Sequence, residues 1–356
     1  MRIIQLLPTI SYGDAVSNDT IAIQSVLKEM GYKTEIYAES IDVRFSKKVA
    51  THISKMPKLN SNDIVIYHMS TGAQLNWDFG KFECKKVMIY HNITPPEFLM
   101  KYNDRAAIQC SEGLRSLKWL ADKVDYCIAV SEFNKRDLIE YGFKCKIDVL
   151  PIVIPFEDYD KESDPVLDRK LRSDKKKNII FTGRIAPNKC QQDVIKAFAD
   201  YQRYYNSESR LILIGSSNGY SNYRKRLESY VNALGINDVI FSGHIKFAEI
   251  LSYYKTADLF LCQSEHEGFC VPLVEAMYFD VPILAYDSTA IFDTLGGAGI
   301  IMHNKNSLET AGLMNKILTD NDLRQTIIDN QRERLADFDN NKIKETFKIL
   351  LKENVL

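Results

Sequence analysis

Residues 181–198, FTGRIAPNKCQQDVIKAF, leave an apolar strand through a glycine, cross a polar turn and enter a segment with helical periodicity. Strand, glycine turn and helix make one βα unit, and the rest of the chain repeats it. Around this unit the sequence predicts strands at 178–181, 210–214, 239–242 and 259–262, with helices at 192–204, 222–234 and 247–257. Upstream, 1–7, 34–37, 63–67, 87–90 and 126–130 read as strands. Segment 19–30 reads as a helix with Ile21, Ile23, Val26 and Leu27 on one face. The strands are apolar with little polar alternation, as strands buried on both faces are, so an α/β architecture of parallel sheets wrapped by helices is expected.

The rhythm breaks at 149–177, VLPIVIPFEDYDKESDPVLDRKLRSDKKK, where three prolines precede a dense charged stretch. That is how an interdomain linker reads. A chain of 356 residues also exceeds one ordinary core. The expectation is therefore two doubly wound Rossmann-like domains, 1–158 and 159–335, and a helix at 336–356 that returns to the first domain. Such sheets bind ligands outside the carboxyl ends of their strands, which makes a central cleft faced by both domains the expected site.

Composition narrows the function classes. The formal net charge is -1, with 20 basic and 21 acidic residues up to Asp160 and 26 of each after it. No overall field points to nucleic acid or to an anionic membrane. No segment approaches the roughly 20 apolar residues of a membrane span, and MRIIQLLPTISYGDAVSND does not read as a signal peptide. The seven cysteines are scattered and form no C-x-x-C pair. Free thiols in a reducing cytosol are the simple account, so a cytoplasmic protein is expected, able to touch a membrane from the inside.

Four groups of residues could carry chemistry. After the strand at 178–181, Gly183 opens a turn in which Arg184 and Lys189, five positions apart, could clamp a diphosphate beside a helix N-terminus. A helix cap with two solvated cations is the alternative. In SEHEGFCVPLVEAM, 264–277, Glu267 and Glu275 stand eight positions apart. Pro272 suits a helix start, which leaves Glu267 in the turn and Glu275 in the helix, where it could accept hydrogen bonds from a diol or simply offset the helix dipole. Neither supplies the raised-pKa acid and facing base of a glycosidase. His91, in YHNITPPEF at 90–98, and His68 each directly follow a strand, where active-site residues and ordinary half-buried histidines both occur. After the first strand, Gly13 would let the backbone approach a phosphate, and Asp14 and Asn18 could cap a helix or bind a hydroxyl.

Taken together these pieces resemble the family-4 retaining glycosyltransferases of the GT-B fold. The resemblance rests on GRIAPNK at 183–189, FSGHI at 241–245, YYKTADLFLCQSEHEGFCVPLVEAM at 253–277 and GGAG at 296–299. It covers most of the C-terminal half. It is weaker upstream, through GYKTEIYAE at 31–39, YHNITPPEF and AVSEFNKRDLIEYGF at 129–143. The YHNITPPEF variant is similar to members that build bacterial surface polysaccharides.

The resemblance implies roles. Arg184 and Lys189 would hold the diphosphate of a nucleotide diphosphate sugar and stabilise its departure without a metal or other cofactor. Glu275 would bind the ribose and Glu267 would face the donor sugar. Amides of Phe269, Cys270 and Val271 would reach sugar and phosphate, while His244 and Ile245 would border the base. Gly13 and Gly183 would approach the phosphates. His91 would lie beside the sugar, with Asp14, His68 and Asn92 on the acceptor side. The implied reaction is transfer of a hexose-type sugar, with retention, to a hydroxyl of a glycan or polyprenyl-linked glycan, with the domains closing over the donor. Lys101, Arg115, Lys118 and Trp119 could touch the membrane's inner face, although a solvated helix face is the commoner meaning of such residues. Three departures stand out. Cys270 occupies a place where the family usually has glycine, Pro151-Ile152-Val153 replaces a Pro-Asn-Gly hinge, and Asp293 stands where a glutamate is usual. A phosphorylase, a hydrolysing nucleotide-sugar epimerase and a non-catalytic nucleotide-sugar sensor are the rival readings.

Overall fold

The computed structural model of the protein describes residues 1–45 and 49–356. Its strands are β1 (Arg2–Ile10), β2 (Lys33–Ile41), β3 (Thr51–His52), β4 (Ile64–Met69), β5 (Lys85–Tyr90), β6 (Tyr126–Ala129) and β7 (Lys146–Val149). A second set follows: β8 (Lys177–Thr182), β9 (Ser209–Ile214), β10 (Val239–Gly243), β11 (Leu259–Cys262), β12 (Ile283–Tyr286) and β13 (Ile300–Met302). They form a seven-stranded sheet in the order β3-β2-β1-β4-β5-β6-β7 and a six-stranded sheet in the order β10-β9-β8-β11-β12-β13. The pairs at the centre of each sheet, β1 with β4 and β8 with β11, are parallel. The two doubly wound α/β halves that the apolar runs predict are therefore present, and β4 and β9 are buried at every position.

Strand order reverses between β1 and β4 in the first sheet and between β8 and β11 in the second. Helices leave opposite faces at such a point, and their diverging N-termini open a crevice above the strand ends. The loops after β1, β8 and β11 thus start at the two switch points, and His68, expected just after its strand, lies on β4 itself because the strand runs on to Met69.

The chain divides into two compact units. Unit 1 comprises Met1–Glu97, Arg105–Pro155 and Phe338–Leu356, and unit 2 comprises Phe98–Asp104 and Phe156–Asp337. In unit 1 the helix Asn340–Asn354 buries Ile343, Phe347 and Leu351, spaced four apart on one face, and is capped by Asp339. Asn340 donates to the carbonyl of Ile154 at 2.7 Å and Lys348 meets Glu29 at 3.4 Å, which ties the helix into that unit. In unit 2, Tyr102 sets its ring edge-on to Tyr223, with centroids 5.1 Å apart.

The stretch 149–177, expected as a linker, is largely ordered. It holds the helices Phe156–Tyr159 and Pro165–Ser173. Asp164 caps the second through Val166 and Leu167, and Pro165 occupies its first turn. The backbone N–H of Asp164 also donates to Ser252 at 2.9 Å, so this helix docks on the helix Phe247–Lys255. The charges that suggested a linker are the solvated face of an amphipathic helix with Leu171 buried. Strands β3, β7, β12 and β13 are additions to the expected set; at two to four residues they are too short for a periodic signal.

One glycine sets the geometry above β8 and β9. Gly215 has φ +151, and a Cβ there would stand 2.0 Å from the carbonyl oxygen of Gly183. The N–H of Gly183 in turn donates to Ile214 at 2.9 Å. Gly215→Ala must push the Gly183 turn away, and it is expected to cost about 3 kcal/mol of stability. The urea midpoint measures this, and an unchanged midpoint would contradict the close approach.

Candidate active site

In unit 2 the turn after β8 and the loop after β11 meet at the switch point. Residues Pro187–Lys189 form a single 3₁₀ turn, and Cys190, at φ +51, leads into the helix Gln191–Tyr204. Asn188 binds the second loop twice: its carbonyl accepts from the N–H of Glu265 at 2.9 Å, and its amide donates to the carbonyl of His266 at 3.1 Å. Beside them Lys189 Nζ donates to Glu267 Oε2 at 2.5 Å. The lysine side chain is 20% exposed and the glutamate 8%. Burial disfavours the ammonium, but the charges of Glu267 and its neighbours more than offset it, and the Lys189 pKa is raised. Lys189 is therefore a firmly charged, half-buried cation, and an ammonium with one donor engaged keeps two more.

Arg184 is exposed, with its guanidinium 5.9 Å above the Tyr220 ring. Its carbonyl accepts from Gln191 Nε2 at 3.0 Å, which fixes the backbone while the charged group reaches solvent. The loop carrying Glu267 is held from below. The N–H of Glu267 donates to Thr289 Oγ1 at 2.9 Å, Ser288 donates to the carbonyl of Ser264 at 2.6 Å, and Thr294 donates to the carbonyl of Phe269.

Cys270 has φ +71, the left-handed region where glycine is unstrained and other residues cost about 1–3 kcal/mol. Its thiol is turned against the sulfur of Cys262, and that hydrogen bond together with burial holds its pKa well above the usual thiol range. The side chain thus packs beneath the loop. Val271 begins the helix Val271–Tyr278, with Pro272 in its first turn. Phe269 is buried, while His244 is exposed and Ile245 half-buried directly after the edge strand β10.

Glu275 lies on that helix with both carboxylate oxygens engaged. Tyr254 donates to Oε2 at 2.6 Å and Tyr159 to Oε1 at 2.8 Å. Burial raises its pKa, and the two hydroxyls oppose the rise. Each oxygen retains a lone pair, so the oriented carboxylate can still accept from a diol. Glu267 and Glu275 consequently have different partners, one a lysine and one a pair of tyrosines.

Unit 1 presents a separate buried polar cluster. His91 follows β5, and its N–H donates to the carbonyl of Met69 at 2.9 Å. His68 Nδ1 is 3.1 Å from His91 Nε2, and His68 Nε2 is 2.9 Å from Gln5 Oε1. Asp19 places Oδ2 3.8 Å from His91 Nε2 and accepts from the N–H of Val153 at 3.0 Å with Oδ1. Burial pushes the Asp19 carboxyl up to about 7 and the His91 ring down to about 3. Both histidines are therefore neutral near pH 7.

Asp14 caps the helix Ala15–Glu29 by accepting from the N–H and hydroxyl of Ser17 at 3.0 and 2.9 Å. Gly13, at φ +74, has open space where a Cβ would be. Asn92, at φ +78, donates to Asn134 at 2.8 Å. Gln5, Asp19, Tyr159 and Tyr254 escape the reading of the sequence. Asp19 was detectable as a carboxylate four residues before Ile23, on the apolar face of its own helix.

Residues 164–334, just under half of the chain, match the family described as "Glycosyl transferases group 1". An uncharacterized glycosyltransferase of Methanocaldococcus jannaschii, MJ1069, is 25% identical over 235 residues, 65% of this chain and 56% of that protein. The GalNAc-alpha-(1->4)-GalNAc-alpha-(1->3)-diNAcBac-PP-undecaprenol alpha-1,4-N-acetyl-D-galactosaminyltransferase of Campylobacter jejuni is 27% identical over 183 residues, 51% of this chain and 49% of that protein. The chain thus spans about half the length of these curated relatives. The crystal structure of Anabaena HepE in complex with UDP-glucose superposes with a TM-score of 0.75 at 18% identity, over 99% of this chain and 100% of that one. That likeness shows the fold, which is of the GT-B kind.

Asp19 yields a pH-dependent prediction. Its folded pKa lies above the unfolded value, so the native state keeps a proton that the unfolded chain releases from about pH 4 to 7. Its contribution to stability therefore falls as pH rises through that window and is level above it. Asp19→Asn removes the term, and should equal the parent at pH 4 and exceed it at pH 8 by at most about 4 kcal/mol. Urea unfolding at the two pH values checks this; an advantage independent of pH would contradict it.

Proposed function

We propose that this chain, whose residues 164–334 match the group 1 glycosyltransferases, transfers a hexose-type sugar from a nucleotide diphosphate sugar to a hydroxyl acceptor with retention of anomeric configuration. The observation that carries the reading is the Lys189–Glu267 ion pair at the β8/β11 switch point, with the exposed Arg184 on the same turn. Two cations there, next to the N-termini of the helices Gln191–Tyr204 and Val271–Tyr278, suit a diphosphate.

The chemistry follows from those groups. The bond from the anomeric carbon to the phosphate oxygen breaks as the acceptor oxygen approaches on the same face, through an oxocarbenium-like transition state. Negative charge gathers on the departing phosphate, where Arg184 and the free donors of Lys189 stabilise it. That phosphate takes the acceptor's proton, so no side chain need act as covalent nucleophile. Glu267 keeps Lys189 charged and aimed, and presents its second oxygen to the sugar. Glu275, oriented by Tyr159 and Tyr254, accepts from the ribose hydroxyls.

We assign the cations, rather than a metal, to the leaving group. Two sets among the described residues bring candidate ligand atoms within 4.8 Å of one another: Asp19 with His68 and His91, and Cys190 with Asp193 and Glu265. In the first set the two histidines are hydrogen-bonded to each other, and in the second Lys305 already binds Asp193 at 2.9 Å and Glu265 at 2.7 Å. The acceptor is read as a glycan or polyprenyl-linked glycan in surface polysaccharide synthesis, in line with the undecaprenol-linked acceptor in the name of the Campylobacter relative. Such an acceptor would bring the protein to the inner face of the membrane. Among the described residues no helix is long and apolar enough to cross one.

Incubation with a panel of UDP-, GDP- and dTDP-sugars and a lipid-linked glycan tests the reading. Transfer should need no inorganic phosphate and persist in EDTA, and the product should keep the donor's anomeric configuration. Arg184→Ala and Lys189→Ala should each lower kcat/KM by about 100-fold or more. Turnover near the parent rate in either variant would refute the diphosphate assignment.

A further inference from the structure

Arg184 is exposed on the turn after β8, and a long side chain in water loses rotamer freedom when it takes hold of an anion. A ring beneath the guanidinium lowers that cost by keeping it near one position, and Tyr220, itself 4% exposed, supplies the ring at 5.9 Å. The direction of Arg184 therefore depends on the loop 215–220 that carries Tyr220. At its start this loop is tied to the Arg184 turn, where the N–H of Ile185 donates to the carbonyl of Ser216 at 2.9 Å. At its end it leads into the helix Ser221–Leu234, which begins without a side-chain cap.

That end is held instead by a segment far upstream in the chain. Phe98–Asp104 belongs to unit 2. Asn103 Nδ2 donates to the carbonyl of Gly219, the residue before Tyr220, at 3.0 Å. The approach is close: Gly219 has φ +81, and a Cβ there would stand 3.1 Å from Asn103 Nδ2. Tyr102, whose ring meets Tyr223 edge-on in the first turn of the helix, also accepts from Arg226 one turn on. Tyr223 is a fixed post, 3% exposed, with its hydroxyl donated to Gln192 Oε1 at 2.5 Å. Tyr220 is thus bracketed, immediately before and three residues after, by contacts from one short segment. Phe98 of the same segment sets its ring centroid 6.1 Å from that of His266, the neighbour of Glu267.

We propose that Tyr102 and Asn103 are positioning residues for the diphosphate: by holding the loop 215–220 and the helix that follows it, they keep the Tyr220 ring under Arg184 and aim the guanidinium at the leaving group. The inference rests on the reading of Arg184 as a diphosphate ligand. It adds two residues, distant from the turn in sequence, on which the aim of that cation depends. Because both act through Arg184, their effect falls on the phosphates rather than on the base or ribose, and it vanishes once Arg184 is removed.

A double-mutant cycle read by calorimetry tests this, with the full chain titrated with UDP, GDP and dTDP and with the matching nucleosides. Asn103→Ala and Tyr102→Leu should each weaken the diphosphate that the parent binds best by about fivefold and leave its nucleoside unchanged. Neither should cost anything further in an Arg184→Ala background. A loss that persists in that background, or that falls equally on the nucleoside, would mark a role in stability alone and overturn the proposal, as would parent affinity in both variants. Should Tyr102→Leu fail to fold, Asn103→Ala decides, because its hydrogen bond lies at the exposed surface and its removal opens no cavity in the core. Arg184→Ala by itself separates the two levels. Where it weakens the diphosphate and the upstream variants do not, the diphosphate reading stands and the positioning role falls; where it changes nothing, both fall.

Discussion

The ion pair between Lys189 and Glu267 ties the turn after β8 to the loop after β11, and the candidate chemistry of unit 2 depends on it. Parallel strands alone leave two loops diverging above a switch point, each ending at a helix that starts with unsatisfied N–H groups. A lysine beside so many positive partial charges would be poorly placed without a carboxylate. Glu267 supplies it, and Asn188 reinforces the join with two hydrogen bonds to the same loop. An anion that approaches meets a cation already desolvated in part and already aimed. It can share that cation without displacing the carboxylate, because an ammonium has three donors.

Burial gives the other polar groups their properties. Asp19, His68 and His91 are buried and Glu275 half-buried, yet each has a different set of partners, and the partners decide the outcome. Two tyrosines orient Glu275 as an acceptor. His68 bridges Gln5 and His91, whereas Asp19 accepts from one N–H and burial raises its carboxyl to about 7. In both units the groups stand at or beside the point where strand order reverses, so topology and chemistry share one cause.

The fold was legible because fully buried strands such as Ile64–Met69 and Ser209–Ile214 are apolar without alternation. The turn Gly183–Lys189 was legible too, since its glycine and both cations stand within seven consecutive residues between a strand and a helix. What the sequence concealed depends on contacts distant along the chain. Tyr159 lies in a charged stretch that reads as a linker, and only folding brings it to Glu275. Gln5 sits inside an apolar strand, where a single amide looks like a tolerated exception. Cys270 is a further case: it stood out as a cysteine where glycine is usual, but its left-handed backbone and the direction of its thiol toward Cys262 came only from the structure.

Calorimetric titration of the intact chain with UDP, GDP and dTDP, set against the matching nucleosides and repeated on Lys189→Ala, tests the central claim most directly. The account predicts that at least one diphosphate binds one-to-one and at least about 100-fold more tightly than its nucleoside, with most of that difference lost in Lys189→Ala. Diphosphates that bind no better than nucleosides, or a variant that binds them as the parent does, would contradict it.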